Sequence, residues 1–137
     1  MASKILAGRS ISEGTVEGEA IVSRDPIVFN LGIDAETGVI VEKGHDLEGK
    51  STKNKILVFP YGKGSTGGAW SIYRMGVKHT GPLAMVCQYS EVLTTVGAIL
   101  GSIPVVDGFS EEQLTEIKTG DRIRVNGGKG TVEILAD

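Results

Sequence analysis

Phe59-Pro60-Tyr61-Gly62-Lys63-Gly64-Ser65-Thr66-Gly67-Gly68-Ala69-Trp70 decides how the rest of the chain is read. The run before it, Ile56-Leu57-Val58-Phe59, is short, apolar and closed by a proline, so it suits a buried strand. Ala69 to Met75 after it is helix-compatible, with Ile72 and Met75 one turn apart. Strand, glycine-rich turn and helix in that order put Ser65 or Thr66 at the helix N-cap. Free backbone N–H groups at such a terminus, with the positive end of the helix dipole, favour a carboxylate, a phosphate or a developing oxyanion. A tight turn and an ordinary serine cap would account for a glycine or two. Four glycines, a lysine and two hydroxyls between Gly62 and Gly68 exceed that need.

Two familiar phosphate loops fail, one on spacing and one for want of an acid. A P-loop wants its lysine followed directly by Ser or Thr, whereas Gly64 follows Lys63 and Leu57 stands where the first glycine belongs. Gly62-Lys63-Gly64-Ser65-Thr66-Gly67 matches the dinucleotide pattern formally, but Gly81 to Gln88 carries no acid for a ribose.

Working outward, 137 residues suit one domain around a single core. A net charge of −3, no basic run, and only three Phe, three Tyr and one Trp argue against nucleic-acid binding. The single cysteine, Cys87, lies in the apolar run Leu83 to Cys87 and reads as a core residue, so this chain alone holds neither a disulfide nor an iron–sulfur cluster. Two histidines and one cysteine, widely spaced, make no metal cluster. Without a signal-peptide core or a run of apolar residues long enough to span a membrane, the expectation is a soluble, cytoplasmic protein with no membrane partner.

The first third reads as β structure: Lys4 to Ile11, Gly18 to Val22, a possible short strand at Ile27 to Asn30, a turn at Asp34 to Gly38 and a strand at Val39 to Val41. Gly44 to Lys50 is a polar connection whose His45 is either a solvated loop histidine or, with Asp46, an oriented imidazole. From Lys55 on, three strand-then-helix units follow: Ile56 to Phe59 with a helix to Val77, Leu83 to Cys87 with a helix from Ser90 or Glu91 to Leu100, and Ile103 to Val106 with a helix from Ser110 to Lys118. That succession predicts a parallel or largely parallel sheet. Ser110-Glu111-Glu112-Gln113 is a capping box, and Asp121 to Val125, Asn126-Gly127-Gly128 and Thr131 to Leu135 read as a terminal hairpin. The fold class is α/β, a β-rich layer joined to strand-helix units, with residues 1–137 as one domain.

The order Arg9-Ser10-Ile11, Glu17-Gly18-Glu19-Ala20, Asp34-Ala35-Glu36-Thr37-Gly38-Val39-Ile40, Gly44-His45-Asp46-Leu47-Glu48-Gly49-Lys50, Gly62-Lys63-Gly64-Ser65-Thr66 and Ile103-Pro104-Val105-Val106-Asp107 resembles the small subunit of the aconitase X family over nearly the full length. The resemblance implies a swivelling β/β/α domain like the mobile domain of aconitase, supplied as a separate chain to a larger catalytic subunit in a heterodimer or larger complex. It implies a hydro-lyase, active only with that subunit, dehydrating (R)-5-phosphomevalonate to trans-anhydromevalonate 5-phosphate in the archaeal mevalonate route to isoprenoids. A 4Fe–4S cluster would be held by the large subunit and not by this chain. By motif position Ser65 corresponds to the proton acceptor, and the family pattern draws His45 to the site. Two other readings stay open: a relative dehydrating cis-3-hydroxyproline, and a non-catalytic anion-binding swivel domain of the phosphotransfer kind, although the latter wants a histidine in the mobile loop and Phe59 to Trp70 has none.

The residues' own chemistry is consistent with a part-site. Removing water from a 3-hydroxy acid needs a base, a Lewis acid on the leaving hydroxyl and a hold on the anionic groups. Lys63, Gly64 and Thr66 are the candidates for that hold, Lys63 being otherwise a solvated loop charge. Bringing a hydroxyl as weakly acidic as water down to neutral pH costs about 12 kcal/mol, of which a helix N-terminus supplies up to about 2. Ser65 is therefore expected to be necessary and insufficient, in a site completed at a subunit interface.

Overall fold

The computed structural model describes residues 3–136. Its elements are β1 (Lys4–Ala7), β2 (Arg9–Ser12), β3 (Thr15–Val22), β4 (Ile56–Tyr61), α1 (Thr66–Lys78), β5 (Ala84–Tyr89), α2 (Val92–Leu100), β6 (Val105–Asp107), α3 (Glu111–Thr115), β7 (Arg122–Asn126) and β8 (Thr131–Ile134). The strands lie in the order β1-β8-β7-β3-β4-β5-β6-β2.

The pairing changes sense at β3. Its first part, Thr15 to Glu19, runs antiparallel to β7, and its last part, Ala20 to Val22, runs parallel to β4. On one side β1, β8 and β7 form an antiparallel layer; on the other β4, β5 and β6 are parallel, with β2 antiparallel at their edge. The strand-helix succession thus produces the parallel layer it predicts, and the terminal hairpin is β7–β8.

Side-chain alternation gives that parallel layer two faces, as the two-residue period of a strand requires. Ile56, Val58, Ala84, Val86 and Val106 meet Leu6, Ile123, Val125 and Val132 of the antiparallel layer in one core. Leu57, Phe59, Met85, Cys87 and Val105 point the other way, onto Ile72 and Met75 of α1 and Ala98 of α2. Sheet on sheet on helices is the β/β/α arrangement. The two helices approach backbone to backbone: a Cβ on Gly97 would lie 2.6 Å from the carbonyl of Ala69, and Gly76 faces the carbonyl of Gly101.

Several expectations change in detail. Ile27 and Val39-Ile40 form only isolated bridges, Ile27 to Gly62, Ile33 to Ile40 and Val39 to Ser51, because this connection packs irregularly over the helix-side core instead of joining the sheet. α3 is shorter than the expected helix to Lys118; its Ser110–Gln113 capping box is present, and beyond Thr115 the chain turns to bury Ile117 between the layers. β1 and β2 are one run interrupted at Gly8, whose missing side chain leaves room for the carbonyl of Asp107 and the ring of Phe109.

Candidate functional site

In open parallel sheets, sites form where the strands end at their carboxyl side. Here β4 ends at Tyr61, β5 at Tyr89 and β6 at Asp107, and the loops that follow converge. Tyr61 and Tyr89 are register partners with exposed rings on this edge.

The glycine loop is clamped from the side by the 27–30 segment. Ile27 N–H donates to the Tyr61 carbonyl at 3.1 Å and Lys63 N–H to the Ile27 carbonyl at 2.9 Å. Phe29 sets its ring edge-on to Phe59 at 5.7 Å and lies 2.8 Å from where a Cβ of Gly62 would be. Gly64 faces the Glu91 carboxylate and Gly67 faces the Asn30 amide, so a side chain at either glycine collides with a neighbour. Close approach thus explains why Gly62, Gly64 and Gly67 lack side chains.

Ser65 is the N-cap of α1, in extended conformation (φ −161°, ψ 159°). Its Oγ accepts the Gly68 N–H at 2.9 Å, while its own proton has no acceptor among the described residues. The N–H groups of Thr66 and Gly67 likewise have no partner among them, as the first turn of a helix dictates. Lys63 is exposed and forms no ion pair among the described residues. Ser65, Lys63, Gly64 and Thr66 therefore stand together on one short loop at the positive end of α1. That end offers an uncommitted hydroxyl, free N–H donors and a cation to an anionic ligand.

The second loop is set by Glu91. Of the two helix starts the sequence allows, Ser90 and Glu91, Glu91 is the cap: its carboxylate accepts Leu93 N–H at 2.9 Å, Thr94 N–H at 2.6 Å and the Thr94 hydroxyl at 2.6 Å. The carboxylate is engaged by α2 and lies beside Gly64, so it shapes one wall of the glycine loop.

The third loop carries Asp107, which is fully buried. It accepts two parallel bonds from Arg9, Nε to Oδ1 and Nη2 to Oδ2, both 2.8 Å, and the Ser90 N–H at 2.8 Å. Asp107 raises the Arg9 pKa further, first through these bonds and then through its charge. Neither Arg9, Glu91, Asn30 nor Asp107 was singled out as a site residue from the sequence. An acid closing the apolar run Val105-Val106-Asp107 was the available signal, since a carboxylate there must sit on the carboxyl edge.

His45 is buried, not solvated. Its Nε2–H donates to the Pro26 carbonyl at 3.0 Å and Nδ1 accepts Leu47 N–H at 3.0 Å, with Asp46 Oδ1 also 3.1 Å from Nδ1, so the imidazole stands beside Asp46 while both ring nitrogens bond the backbone. With Asp25 and Asp46 it makes the one three-residue group of possible metal ligands among the described residues. Those carboxylates are already engaged: Asp46 accepts from the Ser23 hydroxyl and the Arg24 N–H, and Asp25 from the Asp46 N–H. Cys87 lies buried between the parallel layer and the helices, and burial pushes its thiol well above the usual range.

A family model for the aconitase X swivel domain matches residues 5–134. The chain belongs to the aconitase X swivel-domain family. The phosphomevalonate dehydratase small subunit of Methanocaldococcus jannaschii is 52% identical over 131 residues, 95% of this chain and 97% of that one. The small subunit of the same name from Methanosarcina acetivorans is 44% identical over 130 residues, 95% and 90% of the two chains. Among solved structures, Thermococcus kodakaraensis aconitase X in its holo form superposes with a TM-score of 0.92 at 43% identity, over 97% of this chain and 99% of that one. The β/β/α arrangement is thus the aconitase X swivel fold, and this aconitase X chain is a dehydratase (hydro-lyase) subunit.

Proposed function

We propose that this chain is the small subunit of a cytoplasmic phosphomevalonate dehydratase, a single swivel domain working with a larger partner chain. The complex would convert (R)-5-phosphomevalonate to trans-anhydromevalonate 5-phosphate. Ser65 carries the reading: it is an N-cap whose oxygen is held by the Gly68 N–H and whose proton is uncommitted. Relatives at 40–52% identity bear the name of this activity, which favours phosphomevalonate over cis-3-hydroxyproline.

In this reaction the proton on the carbon beside the carboxylate passes to the Ser65 oxygen. The C–H electron pair becomes the new double bond, and the neighbouring hydroxyl leaves. Ser65 must therefore give up its own proton before, or as, the C–H bond breaks, and since no acceptor for it stands among the described residues, that proton passes to a base of the partner chain. The Gly68 N–H becomes a charge-assisted bond to the developing alkoxide, worth about 1.5–3 kcal/mol, and the end of α1 adds up to about 2. Both fall short of the roughly 12 kcal/mol required at neutral pH. Lys63 and closure of the partner against this edge, which excludes water, supply the remainder. Lys63, Thr66 and the backbone at Gly64 hold the substrate's carboxylate end. His45, its ring nitrogens occupied, contributes by fixing the segment that carries Pro26 and Leu47. The Lewis acid for the departing hydroxyl belongs to the partner, where we place the 4Fe–4S cluster, because the buried Cys87 does not fit a ligand's role.

The test is anaerobic purification of this chain from its native cells, mass spectrometry of what accompanies it, and an assay for water loss from 5-phosphomevalonate and from cis-3-hydroxyproline. A larger cysteine-bearing partner with activity on the phosphorylated substrate is expected. Activity on hydroxyproline alone, or a chain that purifies without partner or activity, overturns the reading.

A further inference from the structure

The carboxyl edge carries a second cation besides Lys63. Arg9 opens β2, and β2 runs antiparallel to β6, so Arg9 is paired with Asp107 where the parallel strands end. Its guanidinium lies on the fully buried Asp107 through two parallel bonds, yet 60% of its side chain is exposed. Those bonds use Nε–H and one N–H of Nη2, leaving the other Nη2 proton and both Nη1 protons directed away from the carboxylate. Asp107 also takes the Ser90 N–H, and Ser90 precedes Glu91, whose carboxylate adjoins Gly64. A continuous set of contacts thus ties the guanidinium to the Ser65 loop: Arg9 to Asp107, Asp107 to Ser90, Glu91 to Gly64.

We infer that Arg9, oriented by Asp107, forms an oxyanion subsite on this edge that receives the substrate's phosphomonoester while the Ser65 loop engages the carboxylate end. The assignment of the phosphate rests on the dehydratase reading above. Two features support the subsite. A guanidinium presents its donors in a fixed plane matched to two oxygens of one phosphate, and a carboxylate behind it fixes that plane before the ligand arrives. A plain surface ion pair needs neither a fully buried acid nor a position on the edge where three loops meet. A substrate with a carboxylate at one end and a phosphate at the other also needs two anion holds.

Two measurements test this. In the assembled enzyme, Arg9→Lys keeps the charge and loses the fork. It is expected to raise KM for 5-phosphomevalonate about tenfold or more, with kcat changed less than threefold, and to weaken competitive inhibition by inorganic phosphate to the same degree. The double variant Arg9→Gln with Asp107→Asn, which leaves no uncompensated buried charge, should show the same KM effect. Unchanged KM and unchanged phosphate inhibition in both variants, or a shift in melting temperature alone, overturns the subsite. In the isolated chain, titration with inorganic phosphate should move the Arg9 side-chain N–H resonance saturably. If it does not move, the subsite is overturned whether or not the dehydratase reading holds. If it moves while no dehydratase activity is found with any partner, the anion subsite stands and the function is reassigned.

Discussion

The carboxylate of Glu91 rests against the α-carbon of Gly64, with Oε1 only 2.9 Å from where a Cβ would stand. The residue that caps α2 is therefore also a wall of the loop that caps α1. Gly64→Ala should push Glu91 off its three bonds to Leu93 and Thr94 and lower stability by about 1–3 kcal/mol. Chemical denaturation of the variant is the check, and an unchanged midpoint would mean that the contact yields freely.

Ser65 combines capping with chemistry, and substitutions can separate the two. Ser65→Ala loses the bond from Gly68 and should cost about 1 kcal/mol of stability, whereas Ser65→Asn preserves a good N-cap. Both should lack turnover in the assembled enzyme. Thermal melts beside steady-state rates give the comparison; an active Asn variant would remove Ser65 as proton acceptor.

His45 answers a different question. Both its nitrogens are bonded to backbone, so His45→Ala orphans the Pro26 carbonyl and the Leu47 N–H and should destabilise the chain by about 1–3 kcal/mol. KM in the assembled enzyme is expected to stay within about twofold, a factor worth only a few tenths of a kcal/mol. A large KM change at unchanged stability would instead make His45 a substrate contact.

Cys87 is buried at the back of the parallel layer and its thiol is held in the protonated form by burial. A thiol reagent should leave the folded chain unmodified at neutral pH and label it fully in denaturant. Mass spectrometry of the labelled protein distinguishes the two.

Acid stability should follow Glu17. Bonds first from Arg122 and then from Arg124 hold its carboxyl below the ordinary value of 4.5. A depressed folded-state pKa contributes stability that is present above the unfolded value and lost as pH falls through the folded one. Melting temperatures between about pH 3 and 6 should therefore fall less steeply for Glu17→Gln than for the parent; the difference is small, because the pair is exposed and screened.

The three strand-helix units and the terminal hairpin were legible in the sequence because each apolar run has its own local boundary: Pro60 after Phe59, the Ser110–Gln113 box, Asn126-Gly127 before Thr131. The loop at Ser65 was legible for the same reason, as were the core position of Cys87 and the candidate anion end of α1. What the sequence hid is what depends on distant partners. Ile27 to Asn30 has strand-like residues, but it is spent clamping the glycine loop. His45 looked solvated in a polar stretch, yet Pro26 draws it inward. Density of glycine suggested an anion cradle, whereas Glu91, Asn30, Thr94 and Phe29 show that close packing alone demands three of those glycines. Arg9 with Asp107 is invisible to any local window, since the two lie 98 positions apart.

That separation sets the order in which the molecule can be made. Lys4 to Ser12 leaves the ribosome early, but its partners are Val105 to Asp107 and Thr131 to Ile134. Until those emerge, β1 and β2 have nothing to pair with, and the inter-layer core lacks β7 and β8. Closing loops of this length is slow, and unpaired strands invite other chains meanwhile. Folding during translation should thus stop at the helix-side core of β4, α1, β5 and α2, with the two layers joining only after synthesis has passed residue 134.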